Sequence, residues 1–358
     1  MFSALEIGDE FACVRMDLPP ARPCGRGKRP CMPAIIKARR ILLTLAAAQV
    51  LTLGVSSSAL AAPIVTASSD AAALTGTLLG AGINVVSAPT LTGAAGQAGS
   101  FTGGTTTTIG FPTGVVLSSG NVTSLPGTNA NPGLVETLGD QNVQPDDLST
   151  EFGGPGDANL TALAGTATAD ASVLEFQFQF GDGSEGGDLF FSFAFGSDEY
   201  IDFVSSPFND AFGFFVDGTN VALVPGTSTP ITINTINPNV NSAFYINNVP
   251  NTNGLPVAGL DVRLDGITRV IGAEILDLGP GVHTMKFAIA DAFDDEFDSA
   301  VFLAAGTFST EPPPGTGTGS GGTGTMGGGG GEVPEPATLT LLGLGLAGLA
   351  AARRQRRQ

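Results

Sequence analysis

Val173-Leu174-Glu175-Phe176-Gln177-Phe178-Gln179-Phe180 decides the fold class of this chain. Apolar Leu174, Phe176, Phe178 and Phe180 alternate with polar Glu175, Gln177 and Gln179. Successive side chains of a strand point to opposite faces, so this segment has one apolar face and one wet face. Gly181-Asp182-Gly183-Ser184 then supplies turn chemistry, and Gly183 to Asp188 reads as a hairpin turn. Leu189 to Phe195 follows. Its Phe190, Phe191, Phe193 and Phe195 populate both faces, which predicts a strand buried on both sides.

The same alphabet recurs along the chain. Gly110 to Ser119 reads as a strand entering a turn at Gly120-Asn121. Later candidates are Ala211 to Val216, Val221 to Val224, Ile231 to Ile236, Ala243 to Ile246, Gly266 to Leu278, Gly281 to Ala290 and Ala300 to Phe308. The one helix expected is Asp70 to Leu79, with Asp70 as N-cap and Gly80 or Gly82 as its stop. Short strands separated by Gly, Asn, Asp and Pro predict an all-β domain of β-sandwich or jelly-roll type. No repeat with a period of roughly 20–50 residues is visible. The domain is expected over 62–310, about 250 residues and enough for one sizeable core.

Charge narrows the function classes. Between Ala62 and Thr310 only Arg263, Arg269 and Lys286 are basic, against most of the 33 acidic residues of the chain. Such a surface repels phosphate backbones, which excludes nucleic acid as a partner. It attracts divalent cations and cationic partners, and it also keeps an exported protein soluble.

Both ends read as processing segments. Lys37, Arg39 and Arg40 precede an apolar stretch from Ile41 to Val55. Ser56-Ser57-Ser58 and the small-residue site Ala59-Leu60-Ala61, followed by Ala62, complete a secretory signal peptide over 32–61. Met32 stands at its natural start, so 1–31 is expected to be a misassigned upstream segment. Cys13, Cys24 and Cys31 all lie in that segment, so the exported domain has no disulfide and no thiolate chemistry. At the other end, Glu311-Pro312-Pro313-Pro314 opens a Gly/Pro/Thr-rich linker over 311–331, the composition of a flexible spacer. Val333-Pro334-Glu335-Pro336 comes next, then an apolar run over 337–352 and the basic tail 353–358 with four arginines.

That tripartite end (332–358) resembles the PEP-CTERM sorting signal. The resemblance implies an exosortase-type partner, a Gram-negative bacterium, and a short transmembrane helix that tethers the protein to the inner membrane in transit. Arginines on the cytoplasmic side leave everything before Pro334 outside. A plain C-terminal membrane anchor is the other reading; both export the domain.

Inside the domain, Phe195-Gly196-Ser197-Asp198-Glu199-Tyr200 and Phe208-Asn209-Asp210-Ala211-Phe212-Gly213-Phe214-Phe215 carry a second resemblance. Leu264-Asp265-Gly266-Ile267-Thr268, Ile289-Ala290-Asp291-Ala292-Phe293-Asp294 and Asp298-Ser299-Ala300-Val301-Phe302-Leu303 continue it. In this order the motifs resemble the choice-of-anchor L domain family, across nearly all of Asp70 to Phe308. The resemblance implies an exported surface or matrix module and no known reaction.

Catalysis is hard to build from these residues. His283 is the only histidine, which argues against a Ser-His-Asp triad and a two-histidine zinc site. Paired carboxylates would suffice for a glycosidase, yet the chain has no Trp and two Tyr with which to stack sugars. The residues that stand out are oxygen ligands suited to calcium: Asp198, Glu199, Asn209, Asp210, Asp291, Asp294 and Asp298. Caps and Asx-turns explain the same residues, and the sequence leaves both readings open. The expectation is therefore a structural or adhesive protein of the cell surface or extracellular matrix, acting in a biofilm and not as an enzyme, with polysaccharide as the expected partner. A calcium-dependent carbohydrate-binding module is the first alternative and a hydrolase the second.

Overall fold

The computed structural model describes residues 62–312, apart from 105–108, 131–134, 136, 142–146, 251 and 253. The expected upstream segment, the signal peptide, Ala59 and Ala61 lie outside the described residues. So do nearly all of the linker and the whole sorting signal with Val333, Pro334, Glu335 and Pro336. Among the described residues no helix is long and apolar enough to cross a membrane.

The quoted alternating stretch is the heart of a long strand, β6 (Thr168–Phe180). Phe176 and Phe178 are buried while Glu175 and Gln177 face water, as the period of two requires. β6 lies in a sheet whose order is β2 (Ile83–Val85), β6, β13 (His283–Ala292), β8 (Ala211–Val216) and β9 (Thr219–Asn220), with β3 (Thr90–Thr92) also on β6. The facing sheet runs β1 (Ile64–Ala67), β4 (Ala98–Thr102), β5 (Thr113–Ser118), β14 (Ser299–Ala304), β7 (Gly187–Ser197), β11 (Gly266–Thr268) and β10 (Tyr245–Asn247). β12 (Ile271–Leu278) joins it by pairing with β7. The pairings are antiparallel, and the architecture is an all-β sandwich.

A phenylalanine core holds the two sheets together. Phe191, Phe193 and Phe195 of β7 meet Phe212 and Phe214 of β8 and Phe287 of β13, all buried. Edge-to-face geometry, favoured by the ring quadrupole, recurs between Phe193 and Phe214 at 4.8 Å and between Phe191 and Phe214 at 5.2 Å. β7 is apolar on both faces because its outer side is also covered. Ala194, Phe302, Phe101 and Val116 sit under Val122, Leu125, Val262 and Leu264 from the connecting loops.

Several elements differ from the sequence reading. The helix α1 (Ala71–Leu78) forms as expected, with the Asp70 side chain accepting from the Ala73 N–H at 3.0 Å. A second helix, α2 (Ala158–Ala164), was not expected. Asp157 caps it and Gly165 ends it at φ 73°, a left-handed conformation open to glycine. It lies over the outer face of the β6–β13–β8 sheet, where Lys286 reaches Asp157 Oδ2 at 2.6 Å and Asn159 Oδ1 at 2.7 Å. The stretches 221–224 and 231–236 are not strands; Ala222, Val224, Ile231, Ile233 and Ile236 are buried in irregular loops joined by single bridges, Leu223 to Pro230 and Ala211 to Thr232. Gly266 to Leu278 divides into β11 and β12, which pair with successive parts of β7.

Candidate functional site

The antiparallel register gathers the acids at one end of the sandwich. Ser299 of β14 lies opposite Ser197 of β7, so Asp298 stands beside Asp198 and Glu199. Ala290 of β13 pairs with Ala211 of β8, which brings Asp291 beside Asp210. Asp198, Glu199, Asp210, Asp291 and Asp298 are all buried. Buried acids this dense are unusual, because charge in a low-dielectric interior is costly without a partner.

Most of them act as acceptors that tie loops to strand ends. Asp210 Oδ1 accepts from the Ala292 N–H at 3.0 Å and its Oδ2 from the Ser299 hydroxyl at 2.6 Å. Asp298 accepts from the Thr150 N–H at 2.8 Å and the Thr150 hydroxyl at 3.0 Å. Asp198 accepts from the N–H groups of Leu148 and Asp265. Asn209 turns away from the acids and accepts from the Asn234 N–H at 3.1 Å.

Two oxygens break this pattern. Glu199 Oε2 accepts from the Asp210 N–H at 3.1 Å, but its Oε1 is buried with no hydrogen-bond partner. Asp291 Oδ1 is buried and equally unpartnered. Burial and then the neighbouring Asp210 charge push the Glu199 carboxyl well above the usual carboxylate range, and Asp294 adds to it. Asp291 is raised in the same way by burial, then by Asp210, with Asp298 and Glu199 contributing. Asp210 is raised chiefly by burial, then by Asp294 and Asp298.

The seven sequence candidates therefore separate. Asp210 acts on Glu199 and Asp291, half-exposed Asp294 acts on Glu199 and Asp210, and Asp298 stands at the border of this group. Asp198 belongs to a neighbouring group with buried Asp265, which accepts from the Asn129 side chain and was missed as a candidate. Asp170 was missed too; it accepts from the N–H groups of Phe152, Gly153 and Gly154. Its signal was a polar residue interrupting the apolar start of β6. Among the described residues no three His, Cys, Asp or Glu side chains already stand at the spacing of a closed metal site.

His283 lies at the opposite end of β13, buried at the edge of the core. Its Nδ1 faces Asp217 Oδ2 at 2.7 Å and its Nε2 faces the Gly279 carbonyl at 2.8 Å. Both partners are acceptors, so the protonated ring can donate from both nitrogens at once. Burial opposes that charge, but the bonds to Asp217 and Gly279 outweigh it and the pKa lies above 6.5. A raised pKa stabilises the fold fully below the unfolded value and ceases to do so as pH rises through the folded one. The melting temperature is thus expected to fall as pH rises above 6.5. His283→Gln should flatten that slope, at a cost below it on the order of 1 kcal/mol because the Asp217 carboxylate is half-exposed and screened. An unchanged slope in the variant would locate the pH dependence elsewhere.

The sandwich thus gathers buried acids at one end, and at the other His283 faces Asp217 and the Gly279 carbonyl among the described residues. The family model of the choice-of-anchor L domain matches residues 65–309. The chain belongs to the choice-of-anchor L domain family. A PEP-CTERM protein-sorting motif matches residues 332–357, and such a motif implies recognition by an exosortase-type enzyme, export, and membrane-associated sorting in Gram-negative bacteria. No curated protein and no solved structure matches this chain.

Proposed function

We propose that this chain is a non-catalytic structural or adhesive module, exported through the inner membrane, sorted by its tail, and placed at the cell surface or in the exopolysaccharide matrix of a biofilm. One observation supports this most. A family domain over 65–309 and a sorting motif over 332–357 are joined by a Gly/Thr/Ser-rich segment, the order of a folded head, a spacer and a processing tail. The C-terminal apolar run would hold the chain at the inner membrane until an exosortase-type partner acts. The acids favour the same reading over a hydrolase, since Glu199 and Asp210 are 0% exposed and so offer no carboxylate pair to a bound sugar.

A second reading, a calcium-dependent carbohydrate-binding module, draws support from the unpartnered oxygens of Glu199 and Asp291. A glycan array probed with the exported protein, with calcium and with chelator, separates the readings. The adhesive reading expects retention on neutral polysaccharide in both conditions without release of product. Retention confined to calcium would favour the second reading, and turnover would overturn both.

A further inference from the structure

A buried carboxylate oxygen needs a hydrogen bond, a proton or a cation, and the acid end of the sandwich supplies two oxygens with no bond. Glu199 is 0% exposed and Asp291 1%, and each has one unpartnered oxygen. Asp210 acts on both, Glu199 acts on Asp291, and Asp294 acts on Glu199 and Asp210 from the loop at 293–297. Among the described residues, the leading charges acting on Glu199, Asp210 and Asp291 are all carboxylates. The one lysine of the domain is already bound to Asp157 and Asn159. Loop capping explains Asp198, Asp210 and Asp298, whose oxygens accept N–H or hydroxyl bonds. It leaves Glu199 Oε1 and Asp291 Oδ1 unexplained.

We propose that Glu199 and Asp291, with Asp210 between them and Asp294 at the solvent side, bind one hard divalent cation, calcium in the exported protein. Calcium takes six to eight oxygens in flexible geometry, and waters and carbonyls commonly complete the set. Three carboxylates need not already converge. Glu199 and Asp291 supply fixed anchors, and Asp294 lies on the loop through which a cation would enter. The cation would offset mutual repulsion among the acids and join the ends of β7, β8 and β13, so binding and folding are linked. This inference does not depend on the adhesive reading; the cation can be structural in a protein of any partner.

The test uses the exported chain, stripped of metal and titrated with calcium, magnesium and terbium. Calorimetric melts should move upward by several degrees with calcium, and titration should give one site per chain. Terbium luminescence should be sensitised by Tyr200, which adjoins Glu199 in a chain without tryptophan, and calcium should quench it by competition. Glu199→Gln and Asp291→Asn each keep the shape and remove a charge. Each should abolish the calcium response and leave the metal-free melt unchanged or higher, while Asp182→Asn in an exposed turn should leave the response intact. The terbium signal of the unsubstituted chain decides the matter even where a variant fails to fold. No response to any of the three cations, with a metal-free melt that rises as pH falls, would assign the balancing charge to protons and overturn the site. A calcium response that survives in both variants would overturn it as well.

Discussion

Phe193→Ala is expected to lower the stability of the domain by about 3–5 kcal/mol, the range for removing a buried aromatic side chain. Phe193 is 0% exposed. Its ring lies 4.8 Å from that of Phe214, 5.4 Å from Phe212 and 6.3 Å from Phe191. It therefore stands where the central strand of one sheet meets β8 of the other, and rings on both sides limit how far the site can collapse around the cavity. Unfolding in denaturant measures the loss as a shift in midpoint at constant slope. Gln177→Ala, on the wet face of β6, should stay within about 0.5 kcal/mol of the parent. A loss below about 1 kcal/mol for Phe193→Ala would mean that this ring does not join the sheets.

Gly114→Ala should be nearly as damaging for the opposite reason. A Cβ at this position would lie 1.9 Å from the Leu303 carbonyl oxygen and 2.9 Å from the Phe101 ring. The carbonyl belongs to β14, which is paired with β5 residue by residue from Ala300 to Ala304. It cannot retreat without opening that ladder, so the cost is expected at or above the upper end of the roughly 1–3 kcal/mol for overpacking. Gly76→Ala is the matched control. It sits in α1 with nothing within 4 Å of the added atom, and alanine should stabilise it by up to about 1 kcal/mol. Thermal melts of the two variants should move in opposite directions; a neutral Gly114→Ala would contradict the β5–β14 register.

The period-two run at Val173 to Phe180 made the all-β class legible, because alternation on a strand is a local property. Asp70 was legible as an N-cap for the same reason. Asp157 and Gly165 carry the equivalent signals for α2, but its short apolar pattern lies between glycine-rich segments and did not register as a helix. The loop stretches 221–224 and 231–236 read as strands because Val, Ile and Thr fill a core equally well without a ladder. The acids were recognisable as a group by residue type alone. Their division was not, since Asp198 and Glu199 are adjacent in sequence and side chains at the end of a strand diverge. Asp198 reaches Leu148 and Asp265, whereas Glu199 reaches Asp210. Only the register of β7, β14, β13 and β8 brings Asp291 and Asp298 to the same end, and no single segment encodes that register.

The claim that this is an exported and sorted module meets its most direct test in the intact mass of the protein recovered from the cell surface or medium of an exosortase-bearing host. The sorting reading predicts a chain that begins near Ala62 and has lost everything beyond about Pro336, apolar run and arginines included. A mass that retains Arg353 to Gln358 would contradict it.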